Sequence, residues 1–83
     1  MQPHESTIEA RVHDRPGVLA RVASMFHRRG LNLTALSVRP ITGVDHAWMR
    51  IETFAPPDEL ERMRRAMANL VDVIDVEVRP SGN

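Results

Sequence analysis

The chain has 83 residues, a length at which one small domain is expected. Eleven acidic residues balance eleven basic ones, so no net charge directs the chain to nucleic acid or to an anionic membrane. Cysteine is absent, which excludes disulfides, thiolate metal sites and a cysteine nucleophile. The first residues, MQPHEST, do not resemble a secretory signal, and no apolar run approaches the ~18 residues of a membrane span. We therefore expect a cytoplasmic protein that binds neither membranes nor nucleic acids.

The first part of the chain predicts two strands on either side of a helix. Apolar and polar side chains alternate over residues 7–12, as in a strand with one buried face. Apolar residues recur at helical spacing over residues 18–26, and Gly30 is placed to end that helix in a left-handed conformation. Residues 31–38 then predict a second strand, which ends before Pro40.

The second part of the chain predicts a strand, a helix and a final strand. Residues 46–53 alternate again and predict the third strand. Two prolines break the chain, and the apolar stripe of a second helix follows at Leu60, Met63, Met67 and Leu70. Residues 73–79 predict the last strand, with an inward face made of Ile74, Val76 and Val78.

The order of these elements, βαββαβ, is that of the ferredoxin-like fold. We therefore expect an α+β domain in which two helices cover one face of a four-stranded antiparallel sheet. The domain is predicted to span residues 7–79. Residues 1–6 are expected to form a flexible N-terminal tail, and residues 80–83 a C-terminal one.

The turn Asp14-Arg15-Pro16-Gly17 is the most distinctive short motif. Pro16 presets the backbone for a helix start, and Gly17 lets the backbone approach a ligand without a Cβ atom in the way. The amides of Gly17, Val18 and Leu19 would be unpaired donors at the helix N-terminus, which suits a carboxylate or phosphate. The alternative is that Asp14 only caps the helix and nothing binds there.

The turn and the segments around it resemble a known family. A strand, the segment Asp14-Arg15-Pro16-Gly17-Val18-Leu19, and Arg29-Gly30-Leu31-Asn32-Leu33 before the next strand resemble the ACT domain, a small-molecule sensor of amino-acid metabolism. The longer segments RVASMFHRRGLNLTALSVRP and LVDVIDVEV resemble the small regulatory subunits of acetolactate synthase (acetohydroxyacid synthase), here in a short form with a single ACT domain.

This resemblance implies a non-catalytic regulatory subunit in branched-chain amino acid biosynthesis. Its partner would be the thiamine-diphosphate-dependent catalytic large subunit, which it would activate, and the chain itself would carry no cofactor. Sites of this family hold a free amino acid, here valine or isoleucine, between two ACT domains. Carried over, Asp14, Gly17 and Val18 would hold the amino and carboxylate groups of the ligand, and Asn32 would contact it across the interface. The family often has asparagine where this chain has Asp14, which could grip the ammonium group or repel the carboxylate.

The second predicted strand is a sheet edge in this fold, and residues 33–38 contain neither proline nor lysine to protect it. We expect a homodimer that pairs two such edges and the adjacent first helices, which would place Asn32 beside the turn of the partner. The predicted interface residues are Leu33, Ala35, Leu36 and Val38. The alternative is a monomer whose edge is blunted by Arg39 and Pro40.

Trp48 is predicted to lie among charged residues on the sheet face opposite the helices. A large apolar side chain in such surroundings is typical of a binding hot spot, and we assign partner docking to Trp48 and Arg50. RNA-binding modules of the same topology present two or three aromatic residues on this face, whereas the sequence places one there. The four histidines lack the spacing of metal ligands, and no Ser-His-Asp arrangement is evident, so we predict neither a metal site nor a catalytic centre.

Two other functions remain open at this point. The chain would fit a free-standing ACT sensor that regulates another enzyme or a transcription factor. It would also fit a structural or RNA-contacting ferredoxin-like module.

Overall fold

Six elements follow one another along residues 4–80, which are the residues that the computed structural model describes. They are β1 (His4–His13), α1 (Val18–Arg28), β2 (Asn32–Pro40), β3 (His46–Ala55), α2 (Pro57–Ala68) and β4 (Val73–Pro80). The strands form one sheet in the order β2-β3-β1-β4, and every neighbouring pair is antiparallel. The predicted ferredoxin-like fold is confirmed.

β1 is the strand on which the core is built, because it pairs with both β3 and β4. Its alternation places Ile8, Ala10 and Val12 in the core, as predicted. The strand begins at His4, three residues before the predicted start, since Ser6 is also buried and pairs with Thr53. Residues 4–6 of the predicted N-terminal tail and residue 80 of the predicted C-terminal tail therefore belong to strands, and residues 1–3 and 81–83 lie outside the described part of the chain.

The two helices bury one face each against the sheet. α1 contributes Val18, Val22, Met25 and Phe26 to the core, and α2 contributes Leu60, Met63 and Met67. The opposite side of α2 is charged, and hydrogen bonds from Arg64, with Arg65 alongside, lower the pKa of Glu61 to about 2. Neither helix has the length and apolarity needed to cross a membrane, and these are the only helices among residues 4–80.

β4 corrects one prediction about the core. Val12 pairs with Val73 and Arg11 pairs with Asp75, so a β-bulge passes over Ile74. The buried residue at this point is Val73, and the predicted inward position of Ile74 is wrong. The extra residue in the bulge shifts the alternation by one, whereas Val76 and Val78 do pack against the core as expected.

β3 is longer than predicted and ends at Ala55. Ala47, Met49 and Ile51 face the core, and the added residues place Phe54 on the opposite face of the sheet, where it is exposed. The sheet therefore presents two exposed aromatic residues on that face, Trp48 and Phe54, rather than the one that the sequence predicted.

Candidate functional site

The turn between β1 and α1 is left-handed at Gly17, whose φ is 88°. The amide of Arg21 donates to the Gly17 carbonyl at 3.0 Å and begins the helical bonding. The Val18 amide donates to the Arg15 carbonyl at 3.4 Å, so the prediction that it is unpaired is wrong. The amides of Gly17 and Leu19 have no hydrogen-bond acceptor among residues 4–80. They remain available as donors at the positive end of the α1 dipole.

Asp14 is held by its backbone and not by its side chain. Its amide donates to the Asp45 carbonyl at 2.9 Å, which ties the turn to the connection between β2 and β3. Its carboxylate is exposed and makes no hydrogen bond or ion pair within the described part of the chain. Asp14 therefore does not cap α1, contrary to the alternative considered from the sequence, and its carboxylate stays free beside the turn; that a ligand binds here remains a prediction.

A cavity of about 270 Å³ lies directly under this turn. It is lined by residues 12–19 and by Val38, Ala47 and Met49. The buried side chains of Val12, Ala47 and Met49 make an apolar floor, while the exposed Asp14 and the unpaired amides lie at the turn. Such a combination fits a small molecule that carries both charged groups and an apolar part.

The predicted ligand residues divide between the two ends of the sheet. Asp14, Gly17 and Val18 all line the cavity. Asn32 does not, because it pairs with Phe54 at the far end of β3, whereas the turn lies near the end where Pro40 pairs with Ala47. One chain alone does not bring Asn32 to the other three residues.

The edge of the sheet beside the cavity carries an apolar patch made of Leu19, Leu36 and Val38. These side chains are 37 to 42% exposed, and Leu19 and Val38 also line the cavity. Of the other predicted interface residues, Leu33 packs against the core, and Ala35 pairs with Glu52 and so belongs to the opposite face. We call Leu19, Leu36 and Val38 the edge patch.

The face of the sheet opposite the helices has a different character, and we call it the open face. Most of its charged residues pair with one another: Arg11 with Asp75 at 3.1 Å, Arg50 with Glu9 at 3.7 Å, and Arg79 with Glu9 and Glu77. Trp48 lies between two shallow cavities of about 530 and 270 Å³, and Arg50 lines the larger of them. The open face is thus a surface of ion pairs with an exposed indole near its centre.

Asp72 is a residue of this region that the sequence did not single out. It is buried immediately before β4, where its carboxylate accepts hydrogen bonds from Arg15 and Arg21, each at 3.3 Å. The available signal was a single acidic residue inside the apolar run Leu70-Val71-Asp72-Val73, since an acid is rarely buried without a partner. The partners themselves lie 57 and 51 residues away in sequence, so they were not predictable from the run alone.

Comparison with known proteins agrees with this architecture. Residues 8–75 match the family model of the AHAS small subunit-like ACT domain, where AHAS stands for acetohydroxyacid synthase. The acetolactate synthase small subunit of Mycobacterium bovis is 38% identical over 76 residues, which are 92% of this chain and 45% of that protein. A similar relative, the probable acetolactate synthase small subunit of Methanothermobacter thermautotrophicus, is 37% identical and matched over the same shares of both chains. This chain therefore spans about half the length of the curated relatives it matches.

A solved structure gives the same result. The acetolactate synthase small subunit from Thermotoga maritima superposes with a TM-score of 0.78 at 27% identity, over 93% of this chain and 47% of that one. From its sequence and its fold together, the chain belongs to the family of AHAS small subunit-like ACT domains.

Proposed function

We propose that the chain is a regulatory subunit of acetolactate synthase in branched-chain amino acid biosynthesis. In this role it has no catalytic centre of its own and activates a thiamine-diphosphate-dependent catalytic large subunit. It binds valine or a related branched-chain amino acid at the interface of an ACT homodimer. The observation that supports ligand binding is the cavity under the turn, which has two unpaired amides at one side and an apolar floor.

Each group of a branched-chain amino acid has a counterpart in this cavity. The ligand carboxylate accepts hydrogen bonds from the amides of Gly17 and Leu19 at the α1 N-terminus, where the helix dipole also favours an anion. The ligand ammonium group pairs with the free carboxylate of Asp14. The branched side chain packs on the apolar floor and against Val38.

Apolar burial sets how selective such a cavity is. Valine exceeds alanine by two carbons, which adds about 1.6 kcal/mol if both are buried at ~0.8 kcal/mol each. This corresponds to an affinity about fifteen times higher for valine than for alanine. Isoleucine differs from valine by one methylene, so the same reasoning separates these two ligands by less than about fivefold.

A dimer completes the site with the residue that one chain cannot supply. If β2 pairs in antiparallel fashion with its copy about Leu36, Asn32 lies opposite Pro40 of the other protomer. Pro40 pairs with Ala47, which lines the cavity. The partner subunit's Asn32 then reaches the ligand, and the edge patch is covered by the same pairing.

The proposed function is tested by measuring acetolactate formation by the catalytic large subunit with and without this chain, each in the presence and absence of valine. We expect the chain to stimulate the reaction and valine to reverse the stimulation. A free-standing ACT sensor would leave the rate unchanged.

We propose that the open face docks on the catalytic subunit through Trp48, with Arg50 beside it. Trp48→Ala is expected to weaken this binding by about 2 kcal/mol or more, or ~30-fold in Kd, because exposed tryptophans with cavities around them are typical hot spots. The stability of the chain should change by less than about 0.5 kcal/mol, since the indole lies outside the core. Titration calorimetry with the large subunit measures the first effect, and thermal melting measures the second.

Phe54→Ala is the matched control for Trp48→Ala. Phe54 is an exposed aromatic residue on the same strand and face, but it lines neither of the cavities beside Trp48. Its truncation should leave the Kd within about threefold of the unaltered chain. Equal affinity of the Trp48→Ala variant and the unaltered chain would show that the open face is not the docking surface.

A further inference from the structure

Asp72 connects three parts of the chain: the turn between β1 and α1, α1 itself, and the end of β1. One oxygen, Oδ1, accepts a hydrogen bond from Nη1 of Arg15 in the turn, and the other, Oδ2, accepts one from Nη1 of Arg21 in α1. Each distance is 3.3 Å, so each carboxylate oxygen serves one guanidinium group. The Asp72 carbonyl also accepts the amide of His13, the last residue of β1, at 2.8 Å.

The Asp72 carboxylate is buried, whereas the two arginine side chains that it binds are largely exposed. The side chain of Asp72 is 11% exposed, whereas those of Arg15 and Arg21 are 64% and 52% exposed. A carboxylate this deep needs charged or polar partners to offset its lost hydration. Nδ1 of His13 lies 3.6 Å from Oδ1 and makes no hydrogen bond, so the two arginines are the hydrogen-bonding partners of the carboxylate among residues 4–80.

These contacts hold the chain on both sides of Gly17. Arg15 lies two residues before Gly17, and Arg21 lies on the first turn of α1, where its own amide donates to the Gly17 carbonyl. Asp72 itself does not line the cavity, so it acts on the site only through other residues. The connection reaches from the residue before β4 to the segment that carries the unpaired amides of Gly17 and Leu19.

We propose that Asp72 is a positioning residue for the amino-acid site. By binding Arg15 and Arg21 at once, it fixes the turn so that the amides of Gly17 and Leu19 point together at one carboxylate. This inference rests on the proposed function for the identity of the ligand. The effect of Asp72 on the order of the turn does not depend on any ligand.

A positioning role and a purely electrostatic role of Asp72 predict opposite changes in ligand affinity when its carboxylate is removed. Without its negative charge, Arg15 and Arg21 would attract a ligand carboxylate more strongly, although both are half exposed and screened by solvent. Loss of positioning would instead let the two amides diverge and weaken binding. The direction of the change in affinity therefore distinguishes the two roles.

The test compares Asp72→Asn with Asp75→Asn in the full chain. Both variants remove one carboxylate and break an arginine pair, but Asp75 lies within β4 and pairs with Arg11 on the open face, away from the turn. We expect Asp72→Asn to weaken valine binding about tenfold in calorimetry and Asp75→Asn to leave it unchanged. Without ligand, ¹⁵N relaxation should show the order parameters of Gly17 and Leu19 falling from about 0.85 toward ~0.6 in Asp72→Asn only.

Two further measurements cover the cases in which Asp72→Asn does not fold or the chain does not bind valine. If Asp72→Asn does not fold, Arg21→Gln replaces it, because Arg21 does not line the cavity and its loss frees one carboxylate oxygen. The same loss of order at Gly17 and Leu19 is expected, and the order parameters decide in this variant, because loss of a cation would by itself weaken binding of the valine carboxylate. If the unaltered chain binds no valine, the proposed ligand is wrong, and the order parameters still decide whether Asp72 holds the turn. Unchanged order in the turn, or valine binding as tight as in the unaltered chain, would overturn the positioning role.

Discussion

Gly17→Asp is expected to abolish the response of the chain to valine while leaving the fold intact. The new carboxylate would lie beside the unpaired amides of Gly17 and Leu19 and compete with the ligand carboxylate for them. For the unaltered chain, valine at one hundred times its Kd adds about 2.7 kcal/mol of stability, which raises the Tm of a domain this small by about 10 °C or more. Thermal melting with and without valine should show this rise in the unaltered chain and none in the variant.

Gly43→Asp separates the effect on the site from backbone strain. Gly43 lies in the turn between β2 and β3 with a φ of 89°, against 88° at Gly17, and does not line the cavity. A Cβ atom would meet nothing within 4 Å at either position, so each variant carries the same left-handed strain of about 1–2 kcal/mol. Gly43→Asp should melt lower but keep the full shift with valine. A full shift in Gly17→Asp as well would remove the turn from the site.

Leu36→Lys is expected to convert a dimer into a monomer and to remove the valine response with it. In an antiparallel β2 pair centred on Leu36, the two new ammonium groups would face each other in an apolar interface. Like charges brought together in this way cost about 3 kcal/mol or more, which raises the dimer Kd ~100-fold. Sedimentation at micromolar concentration should give about twice the 9.4 kDa mass of one chain for the unaltered protein and the mass of one chain for the variant.

Val71→Lys is the control for the added charge. Val71 is the most exposed large apolar residue among those described, and it lies in the connection before β4, apart from the edge patch. This variant should remain dimeric and keep its response to valine. If the unaltered chain sediments as a monomer and still binds valine, the site does not need a second protomer and the assignment of Asn32 fails.

The fold could be predicted from the sequence because each helix and strand has its own local spacing of apolar and polar residues. The alternation around Ile8, the helical spacing up to Phe26 and the glycine after α1 are all local features, and Gly30 has the expected positive φ of 70°. The turn at Gly17 was predictable for the same reason. The three predicted ligand residues on and beside that turn line one cavity because they are neighbours in sequence.

The errors arose where distant parts of the chain decide the outcome. The bulge that buries Val73 in place of Ile74 depends on the register with β1, which no local alternation specifies. Phe54 is exposed on the open face because pairing with Glu5 and Asn32 extends β3. The partners of Asp72 lie in the turn before α1 and on α1 itself, so only the tertiary fold brings them to it.

The regulatory function is tested by the rate of acetolactate formation by the purified catalytic large subunit of the same organism, with saturating amounts of this chain. We predict that the chain raises the rate and that valine returns it to the level of the large subunit alone, while alanine at the same concentration has a much smaller effect. Stimulation that does not respond to valine would contradict the ligand assigned to the cavity. A rate that the chain does not change at any concentration would contradict the regulatory function itself.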